Sequence, residues 1–385
     1  MNGAIIIEGH VQGLSNTRSL GEQGIPVWVV DKTKGIASYS KYCQRFFTCP
    51  DFETDEFAAF LIQLAQKEKI KDWLLLPSND HAVRCISKHR KVLSEYFRFV
   101  VPELLIIEQI YDKGRLLDVA SSIDLPIPKT HYFSDVNELL PEEIAYPVLT
   151  KGRTGLSFYK AVKRKAFLAT NKVELQHQLS LITEKLNLTA TFTQELIPFD
   201  GTNKTISFTA FCVDGEIKTH WSGVKLREHP VQFGTATLTQ SVWIPELLSQ
   251  SEKLLKALNY SGICEVEYLK DPRDKKYKLI EINARSWLWV GLAKKCGVDY
   301  AKIAYDFVNE IPISYPKNYT VGEYWYNPLT DFIYSCIGIV KGKVKIKDFL
   351  KTSLFAKKEN ALFTKGDWKP GFMYFIKTFN FLKSR

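Results

Sequence analysis

With 385 residues, of which 45% are apolar and 24% charged, the chain has the length and composition of a globular protein of two or three domains. No stretch approaches the roughly 18 apolar residues of a membrane-spanning helix, and the N-terminus lacks the basic start and long apolar run of a signal peptide. The net charge of +10 is concentrated at one end, because residues 341–385 hold 12 Lys and Arg against three acidic residues while the rest holds 40 basic against 39 acidic ones, so a general nucleic-acid surface is disfavoured.

The first 110 residues alternate short apolar runs with helix-like stretches. Ile5–Ile7 reads as a strand ending at Gly9 and Gly13, Thr17–Gln23 as a helix, and Pro26–Asp31 as a second strand. Phe57–Glu68 has helical periodicity, and Trp73–Pro77 and Arg98–Val101 read as further strands. This order implies βαβ units and a parallel sheet, with Ser78-Asn79-Asp80 just past a strand end, where open α/β sheets bind ligands. A boundary falls near Tyr111-Asp112-Lys113, and the prolines of Leu125-Pro126-Ile127-Pro128-Lys129-Thr130 force extended chain. From Tyr146 to Glu281 longer alternating strands follow: Val148–Lys151, Phe192–Leu196, Thr205–Val213, Ile217–Lys225, Gly262–Tyr268 and Tyr277–Ile282. Asp214-Gly215 marks a hairpin turn. Helices are expected at 171–186, 247–258 and 291–309. The tail interleaves lysines with Phe349, Leu350, Trp368, Phe372, Phe375 and Phe379, which is too apolar for a disordered basic arm. Seven cysteines form no CxxC pair, which argues for a reducing cytoplasm and against a disulfide framework or a cysteine-ligated zinc.

The chemistry concentrates in Gly262-Ile263-Cys264-Glu265-Val266-Glu267-Tyr268 and Lys278-Leu279-Ile280-Glu281-Ile282-Asn283-Ala284-Arg285. Alternate strand residues share a face, so Glu281, Asn283 and Arg285 point one way and Ile280 and Ile282 the other. Glu265 and Glu267 likewise share a face. Asp271-Pro272-Arg273-Asp274 is turn-like and would bring Glu267 opposite Glu281. Two carboxylates and an amide oxygen suit a hard cation such as Mg²⁺. An adjacent arginine suits charge developing on a transferring phosphoryl group.

This pair of segments resembles the metal-binding hairpin of the ATP-grasp superfamily, an acidic residue on one strand and E-x-N-x-R on the next. The resemblance extends over residues 1 to about 310: Ile5–Asp31 is similar to the first pre-ATP-grasp unit, and Asp112-Lys113 with Leu125–Thr130 to the superfamily's "DK … giPvPkT" segment. Tyr146–Lys151 resembles "yPvvvKp", and Gln194–Pro198 the strand between the lobes that receives adenine. The implied fold is α/β, α+β in the ATP-grasp part: a pre-ATP-grasp parallel-sheet domain (1–110), a two-lobed ATP-grasp domain (111–310) and a basic, aromatic C-terminal extension (311–385).

The resemblance also implies roles. Lys113 and Lys151 contact nucleotide phosphates, Glu195, Leu196 and Ile197 hold the adenine, and Asp200 reaches the ribose. Glu267, Glu281 and Asn283 ligate magnesium, or manganese in its place, and Arg285 stabilises transferred charge. The phosphate-covering loop 152–157 has only two glycines and is expected to lean on Arg153, Ser157 or Lys160 instead. Lys225 and Arg227, in a stretch similar to "K-x-R-x-x-P … G" (Lys225 to Pro230, then Gly234) of carboxylate–amine ligases, are expected to bind phosphate or a substrate carboxylate. The implied reaction is ATP-dependent amide formation between a small-molecule, glycan or peptide carboxylate and an amine through an acyl-phosphate, on a cell-envelope or polysaccharide precursor. Rival readings are a non-catalytic nucleotide-binding module and a nucleotide-cofactor oxidoreductase, although neither GxGxxG nor GxxxxGK[ST] occurs. The tail reads as a peripheral contact with an anionic membrane at its inner face, as a cap folded on the body, or as a nucleic-acid arm, the last disfavoured.

Overall fold

A computed structural model describes residues 2–136, 141–229, 234–342, 344–354 and 358–383. The N-terminal strands β1 (Ala4–Ile7), β2 (Val27–Asp31), β3 (Cys43–Thr48), β4 (Trp73–Pro77) and β5 (Phe97–Arg98) pair in parallel in the order β3-β2-β1-β4-β5. β1 and β2 are buried along their whole length, as uninterrupted apolar runs in a sheet covered on both faces should be. β3, absent from the sequence reading, is an edge strand with half-exposed side chains and no apolar alternation to announce it. The helix after β1 begins at Val11, earlier than expected, and covers Gly13; a Cβ there would meet the Glu8 carbonyl oxygen at 2.1 Å.

A four-stranded antiparallel sheet follows: β6 (Thr130–His131), β7 (Val148–Gly152), β8 (Phe167–Ala169) and β9 (Thr191–Glu195), ordered β6-β9-β7-β8. The third sheet has seven strands: β10 (Thr205–Val213), β11 (Glu216–His229), β12 (Thr235–Ser241), β13 (Gly262–Lys270), β14 (Tyr277–Asn283), β15 (Tyr324–Tyr326) and β16 (Lys358–Asn360), ordered β14-β13-β10-β11-β12-β15-β16. The turn expected at Asp214-Gly215 joins β10 to β11, both residues at positive φ as a tight hairpin turn requires. The helix expected over 291–309 is two, Val290–Lys295 and Tyr300–Val308, divided at Gly297, whose φ of 104° no helix accepts.

Residues beyond 311 join the body. β15 pairs with β12, and β16 with β15. Ala361 and Leu362 are buried in the same core as Ile6, Val29 and Trp287. Arg18, in the first helix, is buried against this segment. Its Nε donates to Asp367 Oδ2 at 2.8 Å, and its Nη2 to the carbonyls of Leu362 and Asp367. Asp367 also accepts from Ser40 Oγ and from the Lys41 N–H. The tail is thus folded onto the body, as one of the three readings expected.

Candidate functional site

The site is built on one face of the seven-stranded sheet. β13 and β14 are antiparallel with Glu265 opposite Asn283 and Glu267 opposite Glu281. β10 lies on the other side of β13, with Ser207 opposite Glu267. A bulge between Glu267 and Tyr268 shifts the register, so Tyr268 faces Leu279. That shift corrects one expectation. Leu279 and Ile282 enter the core beneath the site, whereas Ile280 is only half-buried and outside it.

Opposite charges alternate across this face. Lys113, at the start of the helix Lys113–Ser122, donates to Glu281 Oε2 at 2.7 Å. Lys225, on β11, donates to Glu267 Oε1 at 2.8 Å, and both side chains are almost fully buried. The Lys113 ammonium, aided by Lys225 and Arg285, outweighs burial and pulls the Glu281 carboxyl down to about 2. Glu281 in turn raises Lys113. Burial works against the charge on Lys225, but Glu267 and Glu265 outweigh it and its pKa lies above the ordinary lysine range. Lys151, on β7, is lowered to about 8 by burial and by the Lys113 charge, with Glu281 opposing. Lys113, Lys151, Lys225, Glu267 and Glu281 therefore form one electrostatic unit.

Glu265 is a third carboxylate in the site. It is 3% exposed, accepts from Ser207 Oγ at 2.7 Å and from Asn283 Nδ2 at 3.0 Å, and is pushed up to about 7 by burial and by Glu267. With the Asn283 amide nitrogen so held, its oxygen turns away and accepts from Arg285 Nη2 at 3.2 Å. Arg285 Nε lies 3.2 Å from Asp80 Oδ2, so the arginine joins the carboxylate face to the end of β4. There Asn79 caps the next helix by accepting from the Ala82 N–H, and Asp80 Oδ1 and Asn79 Nδ2 are buried with no hydrogen-bond partner among the described residues. Glu8, just past β1 at a φ of 73°, accepts from Gln12 Nε2, and Asp31 accepts from the Gly9 N–H at 2.8 Å. Strand alternation put Glu265 on this face, but its grip on Asn283 and the Asp80–Arg285 pair join distant segments and left no local signal.

The other expected residues stand apart. Arg227 Nε and Nη2 donate to the two Asp331 oxygens at 2.8 and 2.7 Å, and its Nη1 donates to Thr352 Oγ1, so it is held by the C-terminal segment. Pro230, of the same stretch, lies outside the described residues. The Glu195 carboxylate is committed to the Lys129 N–H at 2.9 Å, to Arg273 Nη1 at 2.9 Å and to Lys278, and the Leu196 N–H donates to the Pro147 carbonyl. Ile197 is buried beside them. Asp200 lines an open cleft of about 470 Å³ with Asn203, Lys204, Ile206, Val224 and Tyr277. Ile206 and Val224 alternate with Ser207 and Lys225, so this cleft lies on the face opposite the carboxylates. The loop after β7 is short: Arg153 donates to Asp112 Oδ1 at 2.8 Å, and the helix Gly155–Val162 carries an exposed Ser157 in its first turn and Lys160 within reach of Glu53.

Among the described residues no cluster of three Asp, Glu, His or Cys side chains forms a ready cation cage. The donor set is two carboxylates that now face ammonium groups, plus an amide oxygen. Such all-oxygen sets leave coordination positions for phosphate and water and suit magnesium.

Residues 230–312, which include the hairpin, match the family described as "Carbamoyl-phosphate synthase L chain, ATP binding domain". A D-aspartate ligase from Enterococcus faecium (strain Aus0004) is 27% identical over 250 residues, covering 61% of this chain and 59% of the relative's length, so the chain matches about three fifths of that protein. Biotin carboxylase from Campylobacter jejuni, solved as its beta-gamma-ATP complex, superposes with a TM-score of 0.67 at 15% identity over 84% of this chain and 74% of its own. The L-amino acid ligase from Bacillus licheniformis superposes with a TM-score of 0.61 at 14% identity, covering 81% and 75%. The three-sheet architecture and the E-x-N-x-R hairpin facing Glu267 agree with these likenesses, and the chain is similar in fold to ATP-binding carboxylases and ligases of this kind.

Proposed function

We propose that the chain is an ATP-dependent carboxylate–amine ligase that releases ADP. The observation that carries this reading is the convergence of Lys113, Lys225, Glu267, Glu281, Asn283 and Arg285 on one sheet face, with Lys151 close enough to feel their charge. The E. faecium relative's name supports the same bond type.

In this reading Glu267, Glu281 and the Asn283 oxygen hold magnesium. Bound there, the metal supplies a counter-charge to phosphate oxygens. Lys113 and Lys225, released from their carboxylates, are available as point charges for a polyphosphate, and Lys151 gains its proton more firmly beside one. Arg285, fixed by Asp80 and Asn283, faces charge developing on the transferred group. A carboxylate aligned with the γ-phosphate becomes an acyl-phosphate as ADP departs; an amine then attacks that carbonyl and phosphate leaves. Catalysis comes from positioning and charge stabilisation. Arg227, engaged by Asp331, is assigned to holding β11 rather than to substrate. The Glu195 carboxylate is assigned to bracing the strand where adenine would lie, with nucleotide contacts assigned to the backbone at Leu196 and Ile197; Asp200, on a cleft across the sheet from the carboxylates, is assigned none.

The substrates we infer are an amino-acid amine and a carboxylate on a cell-envelope or polysaccharide precursor, in the cytoplasm, where ATP is available and cysteines stay reduced. Among the described residues no helix is long and apolar enough to cross a membrane. ADP release from Mg·ATP, measured against pools of amino acids and of uronic-acid or peptide carboxylates, tests the proposal. Substrate-dependent release that disappears in Glu281→Ala supports it. Tight ATP binding without turnover on any pool favours a non-catalytic nucleotide binder, and full activity in Glu281→Ala rejects the site.

A further inference from the structure

The helix Lys369–Lys383 and the residue before it carry an outward apolar face, touched among the described residues by the Phe363 ring at Trp368 and Phe372 and otherwise open. Trp368, Phe372, Ile376 and Phe379 recur at spacings of four, four and three, and each is half or more exposed. Side chains at those spacings fall on one side of a helix, in a stripe about 17 Å long at 1.5 Å per residue. The other side is anchored. Tyr374 accepts from Asn327 Nδ2, Phe375 packs toward the core, and Gly371 passes so close to Phe363 that a Cβ would collide with its ring. Lys369 and Lys377 reach over the Tyr39 ring. The helix is therefore held with its apolar edge outward, although its own packing against the body did not require four large apolar residues there.

Charge in this segment is sorted by depth. Among the described side chains from 328 to 379, the exposed charged ones are all lysines: Lys341, Lys345, Lys347, Lys351, Lys365 and Lys369. The acids point inward. Asp331 is buried on Arg227, Asp367 is buried on Arg18, and burial raises the pKa of Glu359. Among the described side chains the outward charge of this segment is therefore positive. An apolar stripe of Trp, Phe and Ile on a segment whose exposed charges are lysines has the composition that lies in the plane of a bilayer interface, rings inserted and ammonium groups among anionic headgroups.

We propose that this face docks the protein peripherally on an anionic lipid surface. The inference is independent of the reaction proposed above, and its readout involves no nucleotide. The full chain is sedimented with phosphatidylglycerol-containing vesicles and with pure phosphatidylcholine vesicles, at low and at physiological salt. Binding is expected to the anionic vesicles, weaker at higher salt, and absent from phosphatidylcholine. Phe372→Ser with Phe379→Ser is expected to lower the partition coefficient by about tenfold or more. Lys345→Glu with Lys347→Glu is expected to do the same and to flatten the salt dependence. All these side chains except Lys347 and Lys345 belong to the stripe, none belongs to the nucleotide site, and circular dichroism confirms that each variant is folded. Failure to bind anionic vesicles at low salt overturns the proposal, as does binding that both variants leave unchanged. A dimer that the serine substitutions dissociate assigns the face to a second copy of the chain and also overturns it.

Discussion

Only one orientation of the Asn283 amide presents its oxygen to Arg285, and Glu265 enforces it by accepting from the nitrogen. Replacing Glu265 with methionine removes that acceptor and frees the amide to rotate. Partners of this kind typically contribute 10–100-fold to metal affinity or activity. Glu265→Met is therefore expected to raise the magnesium concentration for half-maximal ADP release by about that factor, while Glu265→Gln, which still offers an oxygen, recovers most of it. An unchanged magnesium requirement in Glu265→Met removes the positioning role. Glu8 gives a second test. Burial, then the Asp31 charge and more weakly Asp80, push its carboxyl from 4.5 up to about 7, with Arg285 and Lys32 opposing. Between those values the folded chain holds a proton that the unfolded chain has released, so this contribution to stability is full below pH 4.5 and is lost as pH rises through about 7. Glu8→Gln should remove that decline, seen as a smaller loss of Tm between pH 5 and pH 8 than in the parent chain.

At the scale of elements, β11 is tied to the helix Pro328–Val340 by the forked contact of Arg227 with Asp331, both well buried. Removing one partner of such a pair strands a charge at a cost of about 3–5 kcal/mol. Asp331→Ala should lower unfolding free energy by about that much in denaturant titration, and Arg227→Met combined with Asp331→Leu by much less. If Arg227→Met instead keeps full stability and loses turnover, Arg227 acts on substrate after all. The hairpin β13–β14 was legible because its pattern is local: alternation, a turn of Asp and Pro, and E-x-N-x-R within one strand. β15 and β16 were not. Each has three residues, too few for a period, and each owes its conformation to pairing with a strand far away in the chain. Arg227 illustrates the same limit. Its strand and spacing matched a ligand-binding stretch, but its partner lies 104 residues away.

For the whole molecule, composition located the positive end but could not say that Asp331 and Asp367 would be buried there and that most of its described lysines would be left outside. The parallel N-terminal sheet was read from apolar runs, yet its core is completed by Trp287, Ala361 and Leu362, which no local pattern links to it. Asp367→Ala should show the strength of that link. It leaves Arg18 buried without its counter-ion, with an expected loss of about 3–5 kcal/mol. The readout is a lowered unfolding midpoint together with faster proteolysis of the first helix; an unchanged midpoint denies the link. Arg18 and Asp367 are 349 positions apart, which has a consequence for biosynthesis. The N-terminal sheet cannot close its outer side until the segment 361–367, far downstream, has been translated. At ~5–20 residues per second, that leaves the nascent chain some tens of seconds with an unfinished core, an interval in which a trigger-type chaperone would find its substrate.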